Sequence, residues 1–339
     1  MVATVLSFAL LATCGALSSS LETLPSAAPR RTVAVTGATG KLGRRAVEAL
    51  VESGAAVRAL VRHDADGAAV ASDGAEASGA EVARWLRELS PRVALVRGDV
   101  TDEAAARELC VGCDAVLALH GATRRRKVSD LWRDATLDPS HAVRVNRDAV
   151  SSLVAAAKAA GCDRVVRVTG KGETPWSIFS VLINLLGSSA KAYNYEGERV
   201  LRGQTDVDYT IVRPGVMAPG ATLKPRSLAL ADDGGDLKVS AIPHGAIADL
   251  CVKCLDHDNA ARATLCAMTV DEGDGADSYD ALLPGVRPDR RAFRDDLLQE
   301  HLLAVRVGGA ALAAAAATLA YAAAAAARAV LHIAAGLLR

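Results

Sequence analysis

The segment VAVTGATGKLG at residues 33–43 constrains the fold more than any other stretch of the chain. A short β-branched run leads into Gly37, Gly40 and Gly43, and KLGRRAVEALVESG then places Leu42, Val47, Leu50 and Val51 on one helical face. AAVRALV at residues 55–61 supplies a second strand directly after that helix. Strand, glycine turn, helix and strand in this order make a βαβ unit of about 30 residues, the size of a dinucleotide-binding crossover. Glycines let backbone amides approach a pyrophosphate, and a helix N-terminus adds unpaired N–H groups and partial positive charge. The bland alternative is a tight turn without a ligand.

The alternation continues along the chain. Strand-like runs at 33–36, 56–61, 93–97, 114–119, 164–169 and 209–213 are separated by helical stretches. The pattern predicts an α/β fold, a Rossmann-like doubly wound parallel sheet with helices on both faces. Ligands of such sheets bind beyond the carboxyl ends of the strands, which assigns Gly37, Arg62, Asp99, Gly121, Thr169 and Arg213 to one cleft. Arg62 stands at the end of the second strand, where an NAD site usually carries an acid for the ribose hydroxyls. A guanidinium there can grip a 2′-phosphate in a forked geometry, and Lys41 adds charge of the same sign, so NADP(H) is favoured over NAD(H).

The octet Thr36-Gly37-Ala38-Thr39-Gly40-Lys41-Leu42-Gly43 resembles the TGxxGxxG of the short-chain dehydrogenase/reductase superfamily, in particular its atypical NAD(P)H-binding branch. Further landmarks follow in the expected order. The resemblance implies that Asp99 and Val100 lie beside the adenine, and that His120 and Gly121 sit at the cofactor-facing end of the fourth strand. It puts Thr169 and Gly170 where relatives often have a serine pair, and Pro214 and Gly215 at the start of the loop near the nicotinamide. The expected cofactor set is therefore Gly37, Thr39, Gly40, Lys41, Leu42, Gly43, Arg62, Asp99, Val100, His120, Gly121, Thr169, Pro214 and Gly215. The resemblance spans about residues 32–270.

One part of the family pattern is missing. Hydride transfer to a carbonyl needs a proton donor, which the superfamily usually supplies as a tyrosine acidified by a lysine four residues later. No Tyr-x-x-x-Lys occurs in this chain; in SSAKAYNYEGERVLRG, alignment on Glu198, Leu201 and Arg202 puts Ala190 and Asn194 at those positions. Lys191, Tyr193 and Tyr195 are neighbours that could substitute, with Thr169 completing the candidate catalytic set, or they are ordinary helix residues. The reading is an NADP(H)-binding oxidoreductase acting on an unknown small molecule, with an apolar one among the candidates. Its rival is a non-catalytic NADP(H)-sensing regulator or assembly factor at a membrane.

Composition narrows the partners. The chain carries 39 basic and 39 acidic residues, and this zero balance argues against a nucleic-acid partner. Seven cysteines include Cys110-x-x-Cys113 and Cys251-x-x-Cys254, but neither pair has the turn glycines of a zinc knuckle; both read as buried thiols and no metal site is assigned. TPWSIFSVLINLLG at residues 174–187 is the most apolar stretch of the core, either a buried helix, a wall of the substrate pocket or a bilayer contact. TRRRK at residues 123–127 reads as a solvated basic loop.

The two ends differ from the middle. Residues 1–30 open with an uncharged apolar run, Ala16 being a candidate cleavage position, and continue as a Ser-, Ala- and Pro-rich basic-ended linker. They read as a signal for the secretory route or for two-step import into an organelle such as a plastid. Residues 31–300 form the expected cofactor domain, interrupted by a small, polar surface loop around 64–81, and 301–339 an alanine-rich helix. Within that helix, residues 307–327 carry no charge and are long enough to span a bilayer, although alanine is weakly lipophilic. Membrane anchor and soluble helix both remain open, and basic residues at both flanks leave orientation open as well.

Overall fold

A computed structural model describes residues 31–62, 79–218, 226–235 and 237–337. The expected targeting segment and most of the loop at 64–81 lie outside the described residues. The strands are β1 (Thr32–Thr36), β2 (Ala56–Val61), β3 (Val93–Arg97), β4 (Ala115–Ala118), β5 (Arg164–Val168), β6 (Asp208–Pro214), β7 (Val216–Ala218), β8 (Arg226–Ala231), β9 (Ala241–Pro243) and β10 (Ala263–Asp271). The α-helices are α1 (Lys41–Glu52), α2 (Gly79–Leu89), α3 (Glu103–Cys110), α4 (Ala149–Ala160), α5 (Ile178–Leu186), α6 (Ala190–Arg202), α7 (His244–Asp256), α8 (Tyr279–Leu282) and α9 (Leu297–Leu337).

Eight strands form one sheet in the order β3-β2-β1-β4-β5-β6-β10-β8. All neighbours are parallel except β10 and β8, so the order reverses between β1 and β4 and opens a crevice there. β1, β4 and β5 are buried almost throughout, which explains their unbroken apolar runs: a parallel strand covered on both faces has no side to turn to water. One face is covered by α1, α2 and α7, with Val47, Leu50, Leu86, Ile247 and Leu250 in a continuous core. The other is covered by α3, α4 and α6, with Leu109, Leu153, Val154 and Leu201.

The six expected strands are all present. β10 and β8 extend the sheet beyond them, and β10, ATLCAMTVD, is buried along most of its length. Cys110, Cys113, Cys251 and Cys254 are buried free thiols, the second pair on α7. Burial pushes Cys113 and Cys254 up to about 12, so both stay protonated.

A buried ion pair ties α6 to β6. Arg213 donates to both oxygens of Glu198, at 3.0 and 2.5 Å, and the two side chains are fully buried. Arg202 donates to Glu198 at 2.8 Å, and Thr169 adds its hydroxyl at 2.6 Å. Burial alone would raise the Glu198 carboxyl; the Arg213 charge and hydrogen bonds outweigh it and hold Glu198 down to about 2. Arg213, expected in the ligand cleft, is thus part of the scaffold.

Removing one partner of such a pair strands the other. Arg213→Met leaves Arg202 as the remaining partner, so the expected loss is near the lower end of such cases, about 3 kcal/mol by denaturant unfolding. Because Glu198 titrates lower when folded than unfolded, its contribution is present above pH 4.5 and fades as pH falls toward 2. Glu198→Gln is expected to flatten that acid limb of the stability curve.

Candidate functional site

The glycines after β1 serve different ends. Gly37 has φ +69°, and a Cβ on it would lie 2.8 Å from the His120 nitrogen and the Leu119 carbonyl carbon, so the turn both needs the left-handed region and touches the backbone beyond β4. Gly40 donates its N–H to the Gly37 carbonyl at 3.0 Å and caps α1 with no side-chain acceptor and no acid in the first turn. Gly43, one turn into α1, would drive a Cβ to 2.1 Å from the Gly37 oxygen. Only glycine lets the helix start against its own turn, which aims the amide end of α1 at the crevice.

That crevice holds a cavity of about 510 Å³. Its wall contains Gly37, Thr39 and Gly40 from the turn, Arg62 beyond β2, Asp99 and Val100 beyond β3, and His120 and Gly121 beyond β4. Eight expected cofactor residues thus meet on one surface. Lys41, Leu42 and Gly43 lie just behind it in the first turn of α1, with Leu42 buried. Asp99 is fixed by accepting from the Thr101 N–H and hydroxyl at 3.0 and 2.7 Å. The glycine turn, with no Cβ to fill it and no carboxylate cap, fits the phosphates of a dinucleotide.

The remaining expected residues are placed elsewhere among the described ones. Thr169 gives its hydroxyl to Glu198, Pro214 is the half-buried last residue of β6, and Gly215 follows it. A Cβ on Gly215 would meet the Ser240 carbonyl at 2.2 Å, so that glycine serves the packing of the loop after β6. Lys191 donates to the Ser180 hydroxyl at 2.5 Å, and burial, with the Lys171 charge, pushes it down to about 8. Tyr195 is buried, donates to the Arg294 carbonyl at 3.1 Å and is pushed up to about 12 by burial. Tyr193 packs edge-on against His141, ring centroids 5.8 Å apart. None of the three is on the cavity wall.

A polar chain runs inward from the wall instead. Thr36 Oγ1 lies 2.7 Å from His120 Nδ1, Arg167 Nη1 lies 3.3 Å from His120 Nε2, and Arg167 Nη2 donates to Asn194 Oδ1 at 3.1 Å. Burial and the Arg167 charge hold His120 well below its ordinary range, so the ring is neutral. The guanidinium can only donate, so its contact with Nε2 favours the tautomer in which Nδ1–H donates to Thr36. Arg167 is fully buried and pushed down to about 10 by that burial, still cationic at neutral pH, with an Nε that has no partner.

Sequence reasoning did not single out Arg167, Asn146, Asp138 or Ser140. Asp138 and Ser140 line the cavity from the segment before the π-helical stretch at Val143–Asp148. Asn146 is buried, accepts from the Ala122 N–H at 2.9 Å and donates to the Ala190 carbonyl at 3.2 Å, tying the loop after β4 to the start of α6. A lone asparagine within VRVNRD, next to no glycine or turn, gave no signal of that bridging.

Comparison with known proteins agrees with this geometry. A family model described as NAD(P)H-binding matches residues 37–258. The fold is similar to a wide-type short-chain dehydrogenase/reductase from Veillonella parvula in complex with NADP, at 13% identity, covering 73% of this chain and 98% of that one, with TM-score 0.52. A putative NAD-dependent epimerase/dehydratase from Bacillus halodurans matches at 17% identity over 71% of this chain and 95% of that one, TM-score 0.53. An anaerobillin reductase from Escherichia coli O157:H7 matches at 18% identity over 72% of this chain and 98% of that one, TM-score 0.50. No curated protein matches the chain.

Gly37→Ala is expected to strain the turn by about 1–3 kcal/mol and to abolish measurable dinucleotide binding, read by NADPH fluorescence. Gly121→Ala is the control on the same wall: a Cβ there meets nothing within 4 Å, and melting temperature should be unchanged.

Proposed function

The chain belongs to the NAD(P)H-binding family, and we propose that it is an NADP(H)-dependent oxidoreductase acting on a small molecule whose class the cavity wall does not specify. The observation that carries the reading is the company Arg62 keeps: it shares one cavity wall with Gly37, Thr39 and Gly40, at the strand end where the adenosine ribose lies in such folds. The glycine turn and the first amides of α1 hold the pyrophosphate, Arg62 takes the 2′-phosphate, and Asp99 and Val100 flank the adenine. His120 and Gly121 line the path toward the reacting ring. A bound nicotinamide would supply or accept the hydride.

The chain's own residues shape the field around that reaction. His120, neutral and pinned between Thr36 and Arg167, cannot deliver a proton as imidazolium. Arg167 places a buried cation directly behind it, and in a low-dielectric site such a charge favours negative charge developing on a substrate oxygen.

A second reading, a cofactor-binding regulator without turnover, draws on one specific arrangement. Asn194 is committed to Arg167, Tyr195 to a backbone carbonyl and Lys191 to Ser180, so the tyrosine–lysine proton relay has no counterpart among them. NADPH oxidation across a panel of carbonyl compounds separates the two: turnover supports the oxidoreductase, and tight binding without turnover supports the regulator. Arg62→Ala is expected to weaken NADPH by about 10-fold, equivalent to about 1.4 kcal/mol, and to leave NADH nearly unchanged. Equal effects on both nucleotides would remove the NADP(H) assignment.

A further inference from the structure

The apolar surface of the molecule is concentrated around α5. This helix, IFSVLINLL, carries no charge. Its inner side is packed: Ser180, Val181 and Asn184 are buried, and Asn184 meets His301 of α9 at 3.0 Å. Its outer side is bare, with Ile178, Phe179, Ile183 and Leu186 between 50% and 73% exposed and Trp176 just ahead at 53%. Soluble surfaces seldom gather large apolar side chains this way unless something covers them.

The position of α5 along α9 says what the cover is. The first turns of α9 belong to the globular body, where Leu297, His301, Ala304 and Val305 are buried. After Arg306 the helix leaves the body and runs uncharged from 307 to 327, 21 residues or about 31 Å, the thickness of a bilayer core. Within Leu297–Val330 the most apolar window reaches a mean hydropathy of 1.8. α5 packs on α9 at the first residues of that stretch: a Cβ on Gly308 would sit 2.7 Å from Val181, and one on Gly309 would sit 3.5 Å from Leu185. If α9 enters a bilayer at residue 307, α5 lies at the depth of the lipid headgroups and upper acyl chains.

Charge at the same place fits that boundary. The Arg126 N–H donates to the Leu186 carbonyl at the end of α5, at 2.8 Å. Arg125, Arg126 and Lys127 are exposed beside it, Lys127 pairing with Asp138 at 3.4 Å and the Arg126 charge acting on Asp130. Trp132 stands 68% exposed on the turn that follows. Apolar side chains, indole rings and exposed cations around one helix are the make-up of an element lying in the interface of an anionic membrane.

We propose that α5 and the basic run 125–127 form a docking face for an anionic lipid bilayer, seated at the headgroup boundary where α9 enters it. The same loop carries Thr123, on the cavity wall, so the docked face adjoins the cofactor cavity.

The test uses the full chain mixed with phosphatidylcholine vesicles containing phosphatidylserine, with bromine on the upper acyl chains to quench nearby indoles. The signal of Trp176 is isolated by comparison with Trp176→Phe. The proposal expects Trp176 to be quenched. Phe179→Asp combined with Ile183→Asp should reduce quenching to the Trp176→Phe level, with the thermal melt unchanged. Arg125→Glu combined with Arg126→Glu should weaken flotation with phosphatidylserine vesicles and not with pure phosphatidylcholine. Flotation without Trp176 quenching would overturn the docking face. So would failure to float at all, or a dimer in vesicle-free buffer that buries Trp176 against a second copy.

Discussion

The structure turns on a steric constraint at the mouth of the first crossover. Gly37 touches the backbone after β4, and Gly43 touches Gly37, so β1, β4 and α1 can close together only without side chains at those two points. That closeness places the amide end of α1 over the crevice where the strand order reverses, and the cavity wall assembles from the ends of four adjacent strands. Everything assigned to cofactor binding follows from this contact.

Behind the wall, two buried polar systems divide the work. Glu198, Arg213, Arg202 and Thr169 lock α6 to β6 and to the residue after β5. Thr36, His120, Arg167 and Asn194 run from β1 to α6 just inside the cavity. In the first, carboxylate and guanidinium satisfy one another. In the second, the Arg167 guanidinium hydrogen-bonds only neutral groups, His120 and Asn194, and feels the Glu198 carboxylate of the first system at longer range. The two systems share α6, which contributes Asn194 to one and Glu198 to the other.

How much of this was legible in the sequence depended on how local each cause was. The strand, turn and helix at 33–52 are a local matter, since glycine spacing and helical periodicity sit in adjacent residues, and the strands ending in Arg62, Asp99 and His120 were legible from their alternation. Thr169, Pro214 and Gly215 were placed by resemblance alone. In this chain Thr169 is drawn to Glu198, a contact 29 residues away that no local pattern encodes. The strand β10 went unassigned because a short apolar run is ambiguous between strand and helix until its neighbours are known. The stretch at 174–187 was left open between core, pocket wall and bilayer contact; the structure shows its outer side bare because only one face packs on α6 and α9.

The most direct measurement is a crystal structure of the protein grown with NADP⁺. The pyrophosphate is expected over the amides of residues 37–43, with the 2′-phosphate against Arg62 and the adenine beside Asp99. A dinucleotide bound elsewhere, or that mouth left empty at saturating nucleotide, would contradict the assignment at its root.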